Sequence, residues 1–145
     1  SSLRAKLLCR SRLYIVASPD YLTQYGTPHS SAELYSHTLL GFSQPTHLNT
    51  WPLEFKGEDF IAHPKIKASN GETVRQLALQ GVGMTCLSRF LVEDDLRAGR
   101  LVALFEEQIR LDYQHIHAVY YRQEHLPKRV RLFIEFMTQK LSKYL

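Results

Sequence analysis

The side chains that could do chemistry in this sequence are scattered rather than grouped into a catalytic motif. The 145 residues include seven histidines and two cysteines. They hold no Gly-x-Ser-x-Gly, Ser-x-x-Lys, Gly-x-x-x-x-Gly-Lys or His-Glu-x-x-His pattern, and no pair of carboxylates whose spacing identifies an acid and a base. A serine, a histidine and an aspartate can always be chosen from such a chain by chance. The sequence therefore predicts a protein that is not an enzyme.

The cysteines and histidines also lack the spacing of a metal site. Cys9 and Cys86 are far apart and in apolar surroundings, which gives neither a disulfide framework nor a ligand pattern and fits a reducing cytoplasm. His115 and His117 would share one face of a strand, but structural zinc needs four ligands. We therefore favour two ordinary strand histidines over a metal pair, and we predict no metal and no other cofactor.

The composition bounds the architecture that must position any site. Hydrophobic residues make up 44% of the chain and charged residues 22%, which is typical of a globular protein. A chain of 145 residues suffices for one core of ordinary depth. No apolar run approaches the roughly 20 residues of a membrane span, and the first residues do not resemble a secretory signal. We predict no contact with a membrane.

Patterns in the first half predict strands that alternate with short helices. Residues 12–17 are β-branched and aromatic, as in a buried strand. Ser18 followed by Pro19 is typical of a helix start, and that helix should end near Gly26. The other predicted elements are a helix opened by a capping box of Ser30 and Glu33, a half-exposed strand over residues 51–55, and strands over residues 38–42, 60–62 and 66–68.

The second half continues the alternation after the segment Ser69-Asn70-Gly71-Glu72. Either a capping box of Ser69 and Glu72 or the side chain of Asn70 could cap the next helix. The later predicted elements are a strand over residues 84–87, a helix over 89–97 capped by Ser88 and closed by Gly99, strands over 101–105 and 116–120, and a final helix from Leu126 with Val130, Phe133, Met137 and Leu141 inward. This order predicts an α/β domain with a largely parallel sheet, whose ligands bind beyond the carboxyl ends of strands.

The net charge of +4 is concentrated at the end of the chain. Residues 126–145 carry Lys128, Arg129, Arg131, Lys140 and Lys143 against Glu135 alone. A basic helix can bind nucleic acid, but aromatic residues at stacking positions are absent and the apolar residues form a stripe. We therefore favour a solvated helix face over a nucleic-acid interface.

The order of several motifs resembles the regulatory domain of LysR-type transcriptional regulators, over nearly the whole chain. The segments that carry the resemblance are Val16-Ala17-Ser18-Pro19-Asp20-Tyr21-Leu22, Gly26-Thr27-Pro28, Ser69-Asn70-Gly71-Glu72, Leu77-Ala78-Leu79-Gln80-Gly81-Val82-Gly83-Met84, Gly99-Arg100-Leu101-Val102, and Tyr120-Tyr121 with the segment from Leu126 to Phe136. The order and spacing of these strings are more specific than any one of them.

The resemblance implies a type 2 periplasmic-binding-protein-like α/β fold with two lobes around an effector cleft. It implies one complete lobe plus the C-terminal strand and helix of the other lobe. The expected boundaries are 1–9 for the tail end of the first lobe, 10–114 for the second lobe, and 115–145 for the return crossover and C-terminal helix. DNA binding would belong to an N-terminal winged helix-turn-helix outside these residues. The helix over residues 72–80 would join copies into a homo-oligomer.

The resemblance also implies a set of effector-binding residues. Ser43, Gln44 and Thr46 would offer hydrogen bonds to a small molecule. The family pattern further points to Asn70 for an anion or polar contact, to Ser88, and to Phe90 and Ile116 for apolar walls. Free amides at helix N-termini suit a small carboxylate. At Ser88 the sequence departs from the proline that is most common in the family.

Each of these residues also has a purely structural interpretation. Ser43 and Thr46 could only stabilise a loop, Asn70 and Ser88 could only cap helices, and Phe90 could only pack the core. The alternative function is a stand-alone solute-binding protein of the same fold, because a fold alone does not fix a function.

Overall fold

The computed structural model describes residues 3–110, 113–121 and 126–142. The chain divides into two compact units, and each is described by itself. Unit 1 comprises residues 1–12 and 113–145, and unit 2 comprises residues 13–112. The boundaries expected from the sequence were 10 and 114, and the assignment of the two units to lobes stays a prediction.

Unit 2 is built on a mixed sheet. Strand β1 (Leu3–Ala17) enters it at Leu13 and pairs antiparallel with β6 (Thr85–Ser88) on one side and with β7 (Val102–Leu104) on the other. Strand β2 (Leu40–Phe42) pairs parallel with β5 (Ile66–Ala68). A parallel bridge between Leu39 and Met84 joins β2 to β6. The expectation of a largely parallel sheet is therefore wrong, because β1 runs against both of its neighbours.

The two faces of this sheet carry two hydrophobic clusters, since neighbouring residues of a strand point to opposite sides. Ile15 and Ala17 of β1 belong to one cluster, and Val16 belongs to the other. The first cluster is completed by helix α1 (Pro19–Tyr25), the 3-10 helix Ser31–Ser36 and the antiparallel hairpin of β3 (Thr50–Phe55) and β4 (Glu58–Ile61). The second is completed by α2 (Gly71–Leu79) and α3 (Arg89–Ala98).

Local capping signals at three helix ends are confirmed. The Ser18 hydroxyl accepts a hydrogen bond from the Tyr21 amide at 3.1 Å, and α1 ends at Gly26. Helix α3 ends at Gly99, whose φ of 77° lies in the left-handed region that glycine adopts without strain.

The capping box predicted at Ser30 and Glu33 is wrong. The Ser30 side chain makes no capping hydrogen bond, and the Glu33 carboxylate accepts from the amide of His29 instead, at 2.9 Å. The segment is a 3-10 helix rather than an α-helix. The strand at residues 51–55 is also more buried than predicted, since Trp51, Pro52 and Leu53 are all buried.

Unit 1 contains the first part of β1, strand β8 (Tyr113–Tyr121) and helix α4 (Lys128–Leu141). Strands β1 and β8 pair antiparallel from Leu3 to Arg12, with an irregularity between Leu7 and Cys9. The core that α4 forms with the two strands consists of Leu8, Cys9, Ile134 and Leu141, with Ala118, Tyr120, Val130 and Met137 packed against it.

The predicted inward face of α4 is wrong at one position. Phe133 is 62% exposed, whereas Ile134 is 7% exposed and belongs to the core. The inward residues Val130, Ile134, Met137 and Leu141 follow steps of three and four along the helix. Val130, Met137 and Leu141 were predicted correctly, whereas the fourth inward residue is Ile134 and not its neighbour Phe133.

Candidate functional site

The carboxyl ends of three strands meet at one edge of the unit 2 sheet. Strand β5 runs parallel to β2, with Phe42 beside Ala68, and the Leu39–Met84 bridge sets the start of β6 parallel to β2. The residues that follow these ends are Ser43 after β2, Asn70 after β5 and the first residues of α3 after β6. In open α/β sheets this edge is where ligands bind.

Two helix N-termini lie against each other at the same edge. A methyl group added at Gly71, the first residue of α2, would lie 2.6 Å from Cδ1 of Leu91 in α3 and 4.0 Å from Cζ of Phe42. A larger residue at this position would require the Leu91 side chain to shift. The first turns of both helices therefore border a common surface, and helix starts favour negatively charged groups.

Asn70 caps α2. Its Oδ1 accepts a hydrogen bond from the Thr73 amide at 2.9 Å, and the residue is exposed. The alternative capping box of Ser69 and Glu72 does not form, because the Glu72 carboxylate accepts from Arg75 and Gln76 instead, at 2.9 Å each. With Oδ1 engaged by the helix, the Nδ2 donors of Asn70 are the part of the side chain that a ligand could use.

The loop after β2 brings the three predicted hydrogen-bonding residues to this edge. The Ser43 amide and hydroxyl both donate to the carbonyl of Ala68, at 3.0 and 3.3 Å. Gln44 and Thr46 are exposed and line a surface depression together with Pro45. The hydroxyl of Ser43 is thus used within the protein, whereas Gln44 and Thr46 present their side chains to solvent.

Ser88 and Phe90 differ in their access to the surface. Ser88 is 2% exposed and occupies the N-cap position of α3 with an extended backbone, but its side chain makes no capping hydrogen bond. Phe90, in the first turn of α3, is 37% exposed. Phe90 is therefore accessible to solvent at the start of α3, whereas Ser88 is not.

Ile116 belongs to β8 in unit 1, where its backbone pairs with Cys9. Its side chain lies outside the described residues. Ser43 is thus bonded to the last residue of β5, Asn70 and Phe90 lie at the two helix starts that contact each other, and Gln44 and Thr46 lie in the loop after β2. Ser88 is buried at the start of α3, and Ile116 stays a prediction.

The sequence analysis missed an ion-pair cluster that joins α2 to α3. The Arg75 guanidinium donates from Nε and Nη2 to the carboxylate of Asp95, at 2.6 and 2.9 Å, and Arg100 Nε donates to the same carboxylate at 2.9 Å. Asp95 is fully buried. Burial alone would raise the pKa of Asp95, but the hydrogen bonds from Arg75 and Arg100 together outweigh it, and the pKa lies below its usual value.

A second group of charges lies on α3 itself. Glu93 accepts hydrogen bonds from Arg89 and Arg97, and the bond from Arg89 is the main reason that the pKa of Glu93 is lowered. These side chains border a groove of about 640 Å³ that is also lined by Tyr14 and Leu101. Because Glu93 is already neutralised by the arginines, we assign no ligand to this groove.

Neither a cluster of metal ligands nor a membrane-spanning helix is present in the described part of the chain. Within residues 3–110, 113–121 and 126–142, no three histidine, cysteine or acidic side chains come close enough together to hold a metal ion. The side chain of His115 lies outside the described residues. Burial raises the pKa of the Cys9 thiol, which disfavours the thiolate form that binds metals. No helix in the described part of the chain is both long and apolar enough to cross a membrane.

Comparison with known proteins decides the family. Residues 1–142 match the family model described as the LysR substrate binding domain. The chain belongs to this family. The resemblance inferred from the sequence is thereby confirmed, and so is the α/β, periplasmic-binding-protein-like class of the fold.

Relatives and solved structures agree with the LysR assignment. The chain is 42% identical over 146 residues to the HTH-type transcriptional regulator CrgA of Neisseria meningitidis, and 35% identical over 150 residues to the HTH-type transcriptional regulator PtxR of Pseudomonas aeruginosa. These matches cover 100% and 99% of this chain but 49% and 46% of the relatives. The chain thus spans about half the length of these two regulators.

The solved regulatory domain of CrgA from Neisseria meningitidis superposes with a TM-score of 0.90 at 42% identity, over 97% of this chain and 70% of that chain. The full-length virulence activator AphB of Vibrio cholerae gives a TM-score of 0.73 at 28% identity, over 100% of this chain and 49% of that chain. This LysR-family chain therefore corresponds to the regulatory part of such proteins, and its fold is that of an effector-binding domain.

Proposed function

We propose that this LysR-family chain senses a small-molecule effector at the edge of unit 2 where β2, β5 and β6 end. The observation that carries the proposal is the convergence of the two helix starts, α2 and α3, with the loop after β2. Gly71 of α2 lies close to the Leu91 side chain of α3. Asn70 directly precedes Gly71, and Phe90 directly precedes Leu91. A polar loop beside two helix starts is suited to bind a small polar ligand.

The chemistry of the edge favours a carboxylate. Gln44 and Thr46 supply hydrogen-bonding side chains, the Nδ2 of Asn70 supplies a donor, and the first-turn amides of α2 and α3 supply positive potential. Phe90 offers an apolar wall. Ser43 contributes mainly through its hydrogen bonds to Ala68, which hold the start of the loop. Ser88 and Ile116 remain part of the proposed site on the resemblance alone.

We also propose that the chain is part of a cytoplasmic regulator whose DNA contacts lie outside these residues. Its relatives CrgA and PtxR are named as HTH-type transcriptional regulators, and this chain matches about half of each. Effector binding would shift an equilibrium between arrangements of a homo-oligomer, by as much as the effector prefers one of them. These names favour a regulator over a stand-alone solute-binding protein, and over an enzyme.

A ligand screen with two variants of Asn70 tests the proposed site. We would screen benzoate, salicylate, succinate and 2-oxoglutarate against the complete regulatory domain by thermal shift and then by calorimetry. Asn70→Asp keeps the oxygen that caps α2 but replaces the amide donor with a negative charge. We expect it to retain the thermal stability of the parent domain and to weaken carboxylate binding by about tenfold or more.

Asn70→Ser is the matched control for charge, because serine also caps helices but carries no charge and no amide. We expect it to weaken binding less than Asn70→Asp does. A carboxylate that binds Asn70→Asp as tightly as the parent protein would place the effector elsewhere and would overturn the proposed site.

A further inference from the structure

The loop after β2 is exposed from Ser43 to His47, yet its closing residue is buried. Asn49 is 8% exposed, and both polar atoms of its side chain bind the backbone of one residue, Phe42. Its Oδ1 accepts from the Phe42 amide at 2.8 Å, and its Nδ2 donates to the Phe42 carbonyl at 2.8 Å. These two hydrogen bonds close the loop into a ring that begins and ends at β2.

The carboxamide of Asn49 takes the place of a strand partner. The Leu40 amide donates to the carbonyl of Met84 at 2.8 Å, so this edge of β2 faces β6. Two residues later, the amide and carbonyl of Phe42 face the same side of β2. There they form hydrogen bonds with the Asn49 side chain and not with β6. Without Asn49, both backbone groups of Phe42 would lose their partners.

Two further contacts fix Asn49 itself. Its backbone carbonyl accepts from the Ala62 amide at 2.8 Å, which ties it to the end of the β3–β4 hairpin. A methyl group at Gly41 would lie 2.4 Å from Oδ1 of Asn49 and 2.4 Å from Cγ of Pro64. Gly41 therefore has to be glycine for Asn49 to reach Phe42, and the side chain has little freedom to move.

We propose that Asn49 is the positioning residue of the effector loop: it fixes the path of residues 43–48 and thereby the direction of Gln44 and Thr46. We call the two hydrogen bonds between the Asn49 carboxamide and Phe42 the clamp. The clamp follows from these hydrogen bonds, whereas its role in effector recognition rests on the proposed effector function. Loss of the clamp would let the loop open locally while the sheet and its helices remain folded.

Hydrogen exchange tests the clamp without any ligand. In Asn49→Ala, we expect the Phe42 amide and the loop to exchange about tenfold faster or more, with α3 and β6 unchanged. Asn49→Asp keeps the acceptor for the Phe42 amide but sets a buried, negatively charged oxygen against the Phe42 carbonyl, so we expect faster exchange at Phe42 in this variant too. His47→Ala, at an exposed position of the same loop, is the control and should leave exchange at Phe42 as it is.

Two further readouts separate local opening from loss of the fold. The single tryptophan, Trp51, is 1% exposed and lies two residues after Asn49, so its fluorescence emission should remain that of a buried indole in both Asn49 variants. Unchanged exchange at Phe42 in Asn49→Ala would overturn the clamp. So would faster exchange throughout unit 2 in both Asn49 variants, because the residue would then hold the fold and not the loop.

The ligand arm uses whichever of benzoate, salicylate, succinate or 2-oxoglutarate shifts the melting temperature of the parent domain. We expect Asn49→Ala to bind that carboxylate about tenfold more weakly and Gln24→Ala, on the exposed side of α1, to bind it normally. Faster exchange with unchanged carboxylate binding would keep the clamp and overturn its role in recognition. If none of the four binds the parent domain, the effector proposal fails for these carboxylates, and hydrogen exchange still decides the clamp.

Discussion

At the residue scale, Thr85 carries a buried hydroxyl that lacks a hydrogen-bond partner in the part of the chain that the structure describes. The residue is 1% exposed and lies in β6 beside Val16 of β1. A polar group that is removed from water without a partner costs free energy, commonly about 1–3 kcal/mol. The methyl group of Thr85 suits the strand, but its hydroxyl does not contribute to stability.

We predict that Thr85→Val raises the free energy of unfolding by about 1 kcal/mol, because valine keeps the shape of threonine and removes the uncompensated hydroxyl. Denaturant unfolding followed by Trp51 fluorescence would measure the change. Thr50→Val is the control, since Thr50 is exposed in β3 and its hydroxyl is open to solvent. A loss of stability in Thr85→Val would mean that the hydroxyl has a partner, such as a bound water molecule.

At the scale of elements, the cluster of Arg75, Asp95 and Arg100 fixes α2 against α3. Asp95 lies in the last turns of α3, and its backbone carbonyl also accepts from the amides of Arg100 and Leu101, at 2.9 and 3.3 Å. One buried residue thus holds α2 through its carboxylate and the start of the next loop through its backbone.

We predict that Asp95→Asn lowers the free energy of unfolding by about 3 kcal/mol at neutral pH, because it removes one partner of a buried ion pair and leaves the other. Asp94→Asn is the matched control, since Asp94 is the exposed neighbour on the same helix. The measurement is chemical denaturation of both variants beside the parent protein. Equal stability of the two variants would show that the cluster adds nothing to the fold.

The lowered pKa of Asp95 predicts that the free energy of unfolding depends on pH. The pKa of Asp95 is lower in the folded state than its ordinary value near 4, so its contribution is complete above that value and is lost as pH falls through the folded pKa. Denaturation curves between about pH 5 and pH 3 should therefore lose stability more steeply in the parent protein than in Asp95→Asn. Glu93, whose pKa is also lowered, contributes the same slope to both proteins. Parallel pH profiles would contradict the assignment.

At the scale of the whole molecule, α2 presents a polar outer side. Val74 and Ala78 are buried against the sheet, whereas Gln76 and Gln80 are exposed. Gln76 donates to Glu72 at 2.9 Å. The sequence resemblance places this helix at the contact between copies, and the structure leaves the Gln80 carboxamide in solvent.

We predict that Gln80→Arg weakens self-association of the full-length protein, because a symmetric contact brings identical charges towards each other. Sedimentation equilibrium should show the dissociation constant rising by about tenfold or more. Gln24→Arg, on the exposed side of α1, adds the same charge away from α2 and should leave association unchanged. If Gln80→Arg associates like the parent protein, α2 is not the contact between copies.

The sequence by itself determined the order of strands and helices, most of the helix ends and the family. Ser18 and Gly99 could be identified because a capping residue acts on backbone groups within a few positions along the chain, whereas at the start of α2 the sequence left Asn70 and a box of Ser69 and Glu72 as alternatives. The candidate residues Ser43, Gln44, Thr46, Asn70 and Phe90 could also be named, since the resemblance ties them to strand ends. The parallel pairing of β2 with β5 and with the start of β6 sets the ends of these strands at one edge, where we propose the site.

Only the tertiary structure decided the direction of β1, the inward face of α4, and the partners of Asp95 and Asn49. Each depends on groups that are distant along the chain or on a choice between adjacent residues: Arg75 is 20 positions from Asp95, and Phe133 is next to Ile134. Phe133 and Ile134 are both apolar, so the sequence pattern does not choose between them. Packing of α4 against β1 and β8 buries Ile134. In the sequence, Asn49 is one polar loop residue among several. Only its burial against Phe42 reveals the two hydrogen bonds of the clamp.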